Sequence, residues 1–168
     1  MKLTQFAATT GLLWKYLEET GIDPKPLYLK AGISPALLRT ANARIPVSSV
    51  DRLWQYVLAQ IKDPCMGIKM DHYWHPSQLG ALGYAWLVSS SLRTALNRVV
   101  RYSHVVSEDM YFNLQETAKG LRLAFETEKT TMVLAEQTDL VLSVILHMCR
   151  FNYGDELRPT EVGLPHGR

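Results

Sequence analysis

The chain has 168 residues, 47% of them hydrophobic and 20% charged, enough for one ordinary domain with a real core and too few for two of full size. Its 18 basic and 16 acidic side chains leave a formal charge of +2, so no strong field is available to hold a polyanion, and nucleic-acid binding by this chain alone is not expected. The two cysteines, Cys65 and Cys149, form no C-x-x-C pattern and suit a reducing compartment; with no signal-like start and no apolar run of about 20 residues, a cytoplasmic protein that does not enter membranes is expected.

Gly21-Ile22-Asp23-Pro24 and Gly32-Ile33-Ser34-Pro35 repeat one order of residue types. A glycine can take the left-handed conformation that closes a helix, the isoleucine supplies the accompanying apolar contact, Asp23 or Ser34 can cap the next helix, and proline fits its first position. This predicts helices over about Thr9–Thr20, Pro24–Ala31 and Pro35–Thr40. Ala31-Gly32-Ile33-Ser34 also has the flavour of a helix-turn-helix, but a recognition helix starting at Ser34 would offer only Arg39 to DNA, so a tight helical corner is the preferred reading.

Val50, Leu53, Trp54, Val57, Leu58 and Ile61 then recur at helical spacing, with Asp63-Pro64 as the stop. In His72-Tyr73-Trp74-His75-Pro76 two histidines stand three apart, yet a third ligand at metal-site spacing is missing and Pro76 points to a turn; no metal is expected. From Leu79, Gly80 and Gly83 mark a close approach of a neighbouring backbone, and Leu79, Leu82 and Trp86 form an apolar row. Ser89-Ser90-Ser91 ends this helix and caps the next, in which Leu92, Ala95, Leu96, Val99, Tyr102 and Val106 are expected to face inward and Arg93, Asn97, Arg101 and His104 outward.

After Ser107 the period changes to two. Met110, Phe112 and Leu114, and after Lys119-Gly120 the residues Leu121, Leu123 and Phe125, alternate with polar neighbours, which predicts a hairpin with one buried face. A long helix is expected from about Thr131 to Arg150, with Leu134, Val141, Ile145 and Met148 in a near-heptad row, and a last strand at Glu161–Leu164. The fold class is therefore α+β: a helix-rich amino-terminal layer on a small antiparallel sheet, in the order helices, hairpin, long helix, strand.

The run Leu79-Gly80-Ala81-Leu82-Gly83-Tyr84, followed by Ser89-Ser90-Ser91-Leu92, Ala95-Leu96 and Arg101-Tyr102, resembles the amino-terminal effector and dimerisation domain of AraC/XylS-family transcription regulators, of the arabinose-binding type. Ala31-Gly32-Ile33-Ser34-Pro35 and Ala43-Arg44-Ile45-Pro46 add to the likeness, which spans nearly the whole chain. The resemblance implies a domain that receives a small-molecule effector, forms a homodimer and controls a separate carboxy-terminal pair of helix-turn-helix motifs, through which alone DNA would be bound. It implies no particular sugar, since members of this kind respond to varied amino acids, acyl compounds or no known ligand. Residues 1–168 are read as one such domain, ending before its last strands and the DNA-binding half.

Three sets of residues are candidates for its work. An effector pocket is expected between the hairpin and the preceding helices, lined by Tyr84, Trp86, Tyr102, Phe112, Leu123 and Phe125; Arg93, Asn97, Arg101 and His104 form a polar face for an anionic effector or an acidic partner; Leu134, Val141, Ile145 and Met148 would serve dimerisation. The bland alternatives are a packed core, a solvated face and a helix covering the sheet. A stand-alone protein-interaction or small-molecule-binding module is the second reading. An enzyme is disfavoured because no G-x-S-x-G, paired catalytic carboxylates or phosphate-cradling loop occurs, and a haem gas sensor because the Tyr-x-Ser-x-Arg motif of such domains is missing; no cofactor is expected.

Overall fold

A computed structural model describes residues 2–127 and 134–165. They form two compact units, one of residues 2–62 and 75–127, the other of residues 63–74 and 134–165.

In the larger unit, a short strand β1 (Thr4–Phe6) leads through a 3-10 turn at Ala7–Thr10 into α1 (Gly11–Glu19), α2 (Pro24–Lys30) and a second 3-10 turn at Pro35–Arg39. Two of the three expected helices are thus shorter or tighter than their sequence suggests. The glycine stops behave as expected: Gly21 and Gly32 both have φ of +80°, and Ile22 and Ile33 donate their amides to Leu17 and Tyr28, each at 2.9 Å, the paired closure of a Schellman stop. Asp23 caps α2 by accepting from the Lys25 amide at 3.0 Å; Ser34, expected to do the same, makes no side-chain cap, and the chain after it winds into a 3-10 turn.

β2 (Arg44–Pro46) pairs antiparallel with β1, in the register Thr4↔Pro46, Gln5↔Ile45, Phe6↔Arg44, and leads directly into α3 (Val47–Gln60), which buries Val50, Leu53, Trp54 and Val57 as its periodicity requires. After the smaller unit's first segment the chain returns with His75, whose side chain accepts from the Ser77 amide while Gln78 accepts from its backbone, a capping box for the turn Pro76–Leu79. The histidine motif is therefore a helix-start device. The smaller unit's first segment contains α4 (Met66–Lys69). Gly80 is not within a helix, contrary to expectation; with φ of +57° it immediately precedes Ala81–Leu87, which form α5. Gly83 does lie in α5, and there the close approach is real: a Cβ on it would stand 2.0 Å from the Pro76 carbonyl oxygen.

α6 (Leu92–Val106) starts at Ser91, whose hydroxyl accepts from the Thr94 amide, and buries Ala95, Leu96, Val99, Ser103 and Val106. Tyr102, expected inward, is 42% exposed. The buried stripe passes through Ser103 instead, leaving Tyr102 at its edge, where an amphipathic phenol keeps its hydroxyl in water. α6 packs on β3 (Met110–Thr117), which forms the expected hairpin with β4 (Gly120–Thr127) in the register Phe112↔Phe125 and Leu114↔Leu123.

In the smaller unit, α4 and a 3-10 turn at Asp71–Tyr73 pack against α7 (Ala135–Tyr153). Of the long helix expected from Thr131, residues 131–133 lie outside the described residues. The final strand is not formed: Glu161–Leu164 is irregular, Val162 is 62% exposed, and no strand among the described residues pairs with it. Pro159 and Pro165 flank it and supply no amide donor to a ladder. No helix among the described residues is long and apolar enough to cross a membrane.

Candidate functional site

α6 holds the polar face apart from the core. Arg93, Asn97, Arg101 and His104 are all exposed on one side of it, and the helix contains no acidic residue. Two of its arginines are committed elsewhere. Arg93 forms an ion pair with Glu116 of β3, and Arg98 donates to the Ala85 carbonyl and to the Ser89 hydroxyl, the latter at 2.9 Å, which ties α6 to the end of α5. Arg101 has no carboxylate beside it among the described residues; its guanidinium lies 5.4 Å from the centre of the Tyr102 ring. Thr94, Asn97, Arg98, Arg101 and Tyr102 together line a shallow recess of about 280 Å³. The recess thus joins Tyr102 of the expected pocket to Asn97 and Arg101 of the expected polar face, and adds Thr94 and Arg98. Arg98 falls between the inward and outward rows of the helix, which is why spacing alone passes over it.

The other pocket candidates are distributed differently. Phe112 and Phe125 meet across the hairpin with ring centres 5.5 Å apart, and Leu123 shares their face two pairs further on. Phe112 is buried, while Leu123 and Phe125 are half-buried. Trp86 is wholly buried, whereas Tyr84 is 54% exposed. On α7, Met148 is wholly buried and Val141 and Ile145 are half-buried, as is Leu134, which stands just before the helix in extended conformation rather than on it.

The amino-terminal strand is locked to the carboxy-terminal end of α6. The Glu108 carboxylate accepts from the Thr4 amide at 2.6 Å and from its hydroxyl at 2.9 Å, and Arg44 donates to the Thr4 hydroxyl, the Thr4 carbonyl and the Val105 carbonyl. These hydrogen bonds, with Arg44 adding its charge, hold the Glu108 carboxyl below its ordinary range. Burial pushes the Tyr28 hydroxyl, which donates to the Thr10 carbonyl at 2.6 Å, well above the ordinary range. In the smaller unit, the Trp74 ring meets His147 and Phe151, and its buried indole N–H has no acceptor among the described residues. No group of three or more metal-ligating side chains occurs among the described residues.

The family model described as the arabinose-binding domain of AraC transcription regulators, amino-terminal, matches residues 21–168. The chain belongs to that family, and is an AraC-type sensing domain. No curated protein matches the chain.

Proposed function

We propose that the chain is the effector-sensing and dimerisation domain of an AraC-type regulator, a cytoplasmic protein without enzymatic activity of its own that controls a separate DNA-binding domain. The family match over residues 21–168 carries this reading; it runs through both compact units, which supports treating residues 1–168 as one functional domain. The anionic group of the effector is taken to enter the α6 recess, where Arg101 supplies a charge not neutralised within the described residues and Asn97 a directional partner. The half-buried Leu123 and Phe125 offer apolar surface on the nearby hairpin of the same unit. Because the recess is open and small, one carboxylate-bearing metabolite of amino-acid size fits it better than a bulky ligand.

A thermal-shift screen of amino acids and short-chain carboxylates against wild type and Arg101→Ala tests this. A ligand present at about a hundred times its Kd stabilises by roughly 2.7 kcal/mol. The expected result is a rise in Tm that Arg101→Ala abolishes, accompanied by loss of the response in a regulator carrying this domain. A ligand that stabilises both proteins equally places the effector elsewhere.

A further inference from the structure

Strand β4 has an outer edge with no partner among the described residues. The turn Ala118-Lys119 makes Thr117 and Gly120 the pair that closes the hairpin. Hydrogen-bonded and non-hydrogen-bonded pairs alternate from there, so Arg122, Ala124 and Glu126 turn their backbone groups toward β3, while Leu121, Leu123 and Phe125 turn theirs outward. Residues 120–126 form an edge without proline or bulge, the kind of template to which another strand adds. Its side chains have their own requirement. Arg122 and Glu126 are exposed on one face and form no ion pair among the described residues; four residues apart on a strand, about 13 Å, they are too far apart to pair with each other.

We infer that β4 pairs antiparallel with β4 of a second copy of this chain, about a two-fold axis at Ala124. In that register Leu123 of each copy is opposite Phe125 of the other in a hydrogen-bonded pair, which uses the outward backbone groups and continues the apolar face of the hairpin. Arg122 of each copy is opposite Glu126 of the other in the closer, non-hydrogen-bonded pairs, so both stranded charges are neutralised at once. Shifting the axis to Leu123 places Arg122 opposite Ala124 and loses this complementarity; shifting it by a single position of pairing sets an outward backbone group against an inward one. Two hairpins, each marginal as a two-stranded sheet, become one sheet of four strands. The contact is isologous, and it is separate from the face of α7 assigned to dimerisation.

Charge exchange isolates it. Sedimentation velocity is run across a dilution series at low salt on the wild type, Arg122→Glu, Glu126→Arg and the double exchange, and the same set is repeated with Val141→Glu on α7. Each single exchange places like charges opposite each other twice and is expected to weaken self-association by about tenfold, while the double exchange restores it to within a few-fold of wild type. The pattern is expected in both backgrounds, so a failure of the α7 assignment leaves it visible. Single exchanges without effect, a double exchange weaker than either single one, or a wild type that stays monomeric throughout would each overturn the pairing. In the Val141→Glu background, Leu123→Pro, which deletes an outward N–H, is expected to abolish the remaining association with the helical circular dichroism retained; association surviving it there counts against the pairing equally.

Discussion

Arg44 and Glu108 bracket Thr4, the guanidinium 3.8 Å from the carboxylate and both hydrogen-bonded to the same residue of β1. Three segments distant in sequence, the amino-terminal strand, β2 and the end of α6, therefore share one polar junction, and a backbone bond from the Glu108 amide to the Thr4 carbonyl at 3.0 Å closes it.

The first prediction rests on the charge of Glu108. Its carboxyl is held below the ordinary value when folded, so the stabilisation it provides is fully present above the ordinary carboxylate range and is lost as the pH falls through the lowered value. Urea unfolding between about pH 3 and pH 6 should show Glu108→Gln less stable than wild type at the upper end, with the gap closing on acidification. A gap that stays constant or widens toward low pH would show that the carboxylate's charge has no part in the junction.

Gly83 and Gly67 give a second prediction, one for each unit. In a helix Ala is normally better than Gly by about 1 kcal/mol, but here the added methyl would meet backbone: Pro76 oxygen at 2.0 Å from Gly83, and Glu136 oxygen at 2.2 Å from Gly67. Steric conflict with backbone outweighs propensity, and Gly83→Ala and Gly67→Ala should each lose about 1–3 kcal/mol in denaturant unfolding. Gly163→Ala, where a Cβ meets nothing within 4 Å, should stay within about 0.5 kcal/mol of wild type. Equal stabilities for all three would mean the close approaches are not maintained in solution.

How much of the fold is legible in the sequence depends on distance along the chain. The Schellman stops at Gly21 and Gly32, the Ser91 cap and the alternation of the two hairpin strands are set by residues within a few positions of each other, and all emerge from local pattern. The β1–β2 pair is not readable in that way. Gln5 and Ile45 face each other across forty residues, each strand has three residues, and neither is long enough to show a period. The Arg44–Glu108 junction is hidden for the same reason. At Tyr102 the difference is one of phase: the apolar stripe of α6 runs through a serine, which hydrophobicity alone does not place in a core, and the tyrosine beside it takes over an exposed place in the recess. The strand expected at Glu161–Leu164 rests on alternation alone, and a strand that finds no partner has no use for its pattern.

The two thiols supply a third prediction. Cys65 is exposed, while Cys149 is buried in α7 and burial pushes its thiol up to about 11, so roughly one such thiol in a thousand is ionised at about pH 8. An alkylating reagent under native conditions should label one site per chain quickly, mapped to Cys65, and reach Cys149 only as denaturant opens the smaller unit. Rapid labelling of both sites without denaturant would show that α7 does not hold Cys149 in its interior.

The last prediction concerns the sides of α7. Ser143 donates to the Gly67 carbonyl at 3.5 Å, Asp139 and Leu140 lie against Gly67, and His147 and Phe151 meet the Trp74 ring, so the stripe 139, 143, 147, 151 faces the other segment of the smaller unit. At about 100° per residue, Val141 and Ile145 stand roughly 200° around from Asp139 and Ser143. They are half-buried, and they are not needed for that internal contact. If this far side joins two copies, Val141→Glu and Ile145→Glu each place a charge in an apolar contact and should shift the protein to a smaller sedimenting species while the helical circular dichroism is retained. Val141→Thr, which keeps the side-chain volume and adds one hydroxyl, should shift it less in the same direction. A folded Val141→Glu protein with unchanged mass would assign this face to packing within the chain, with any dimer contact to be found elsewhere.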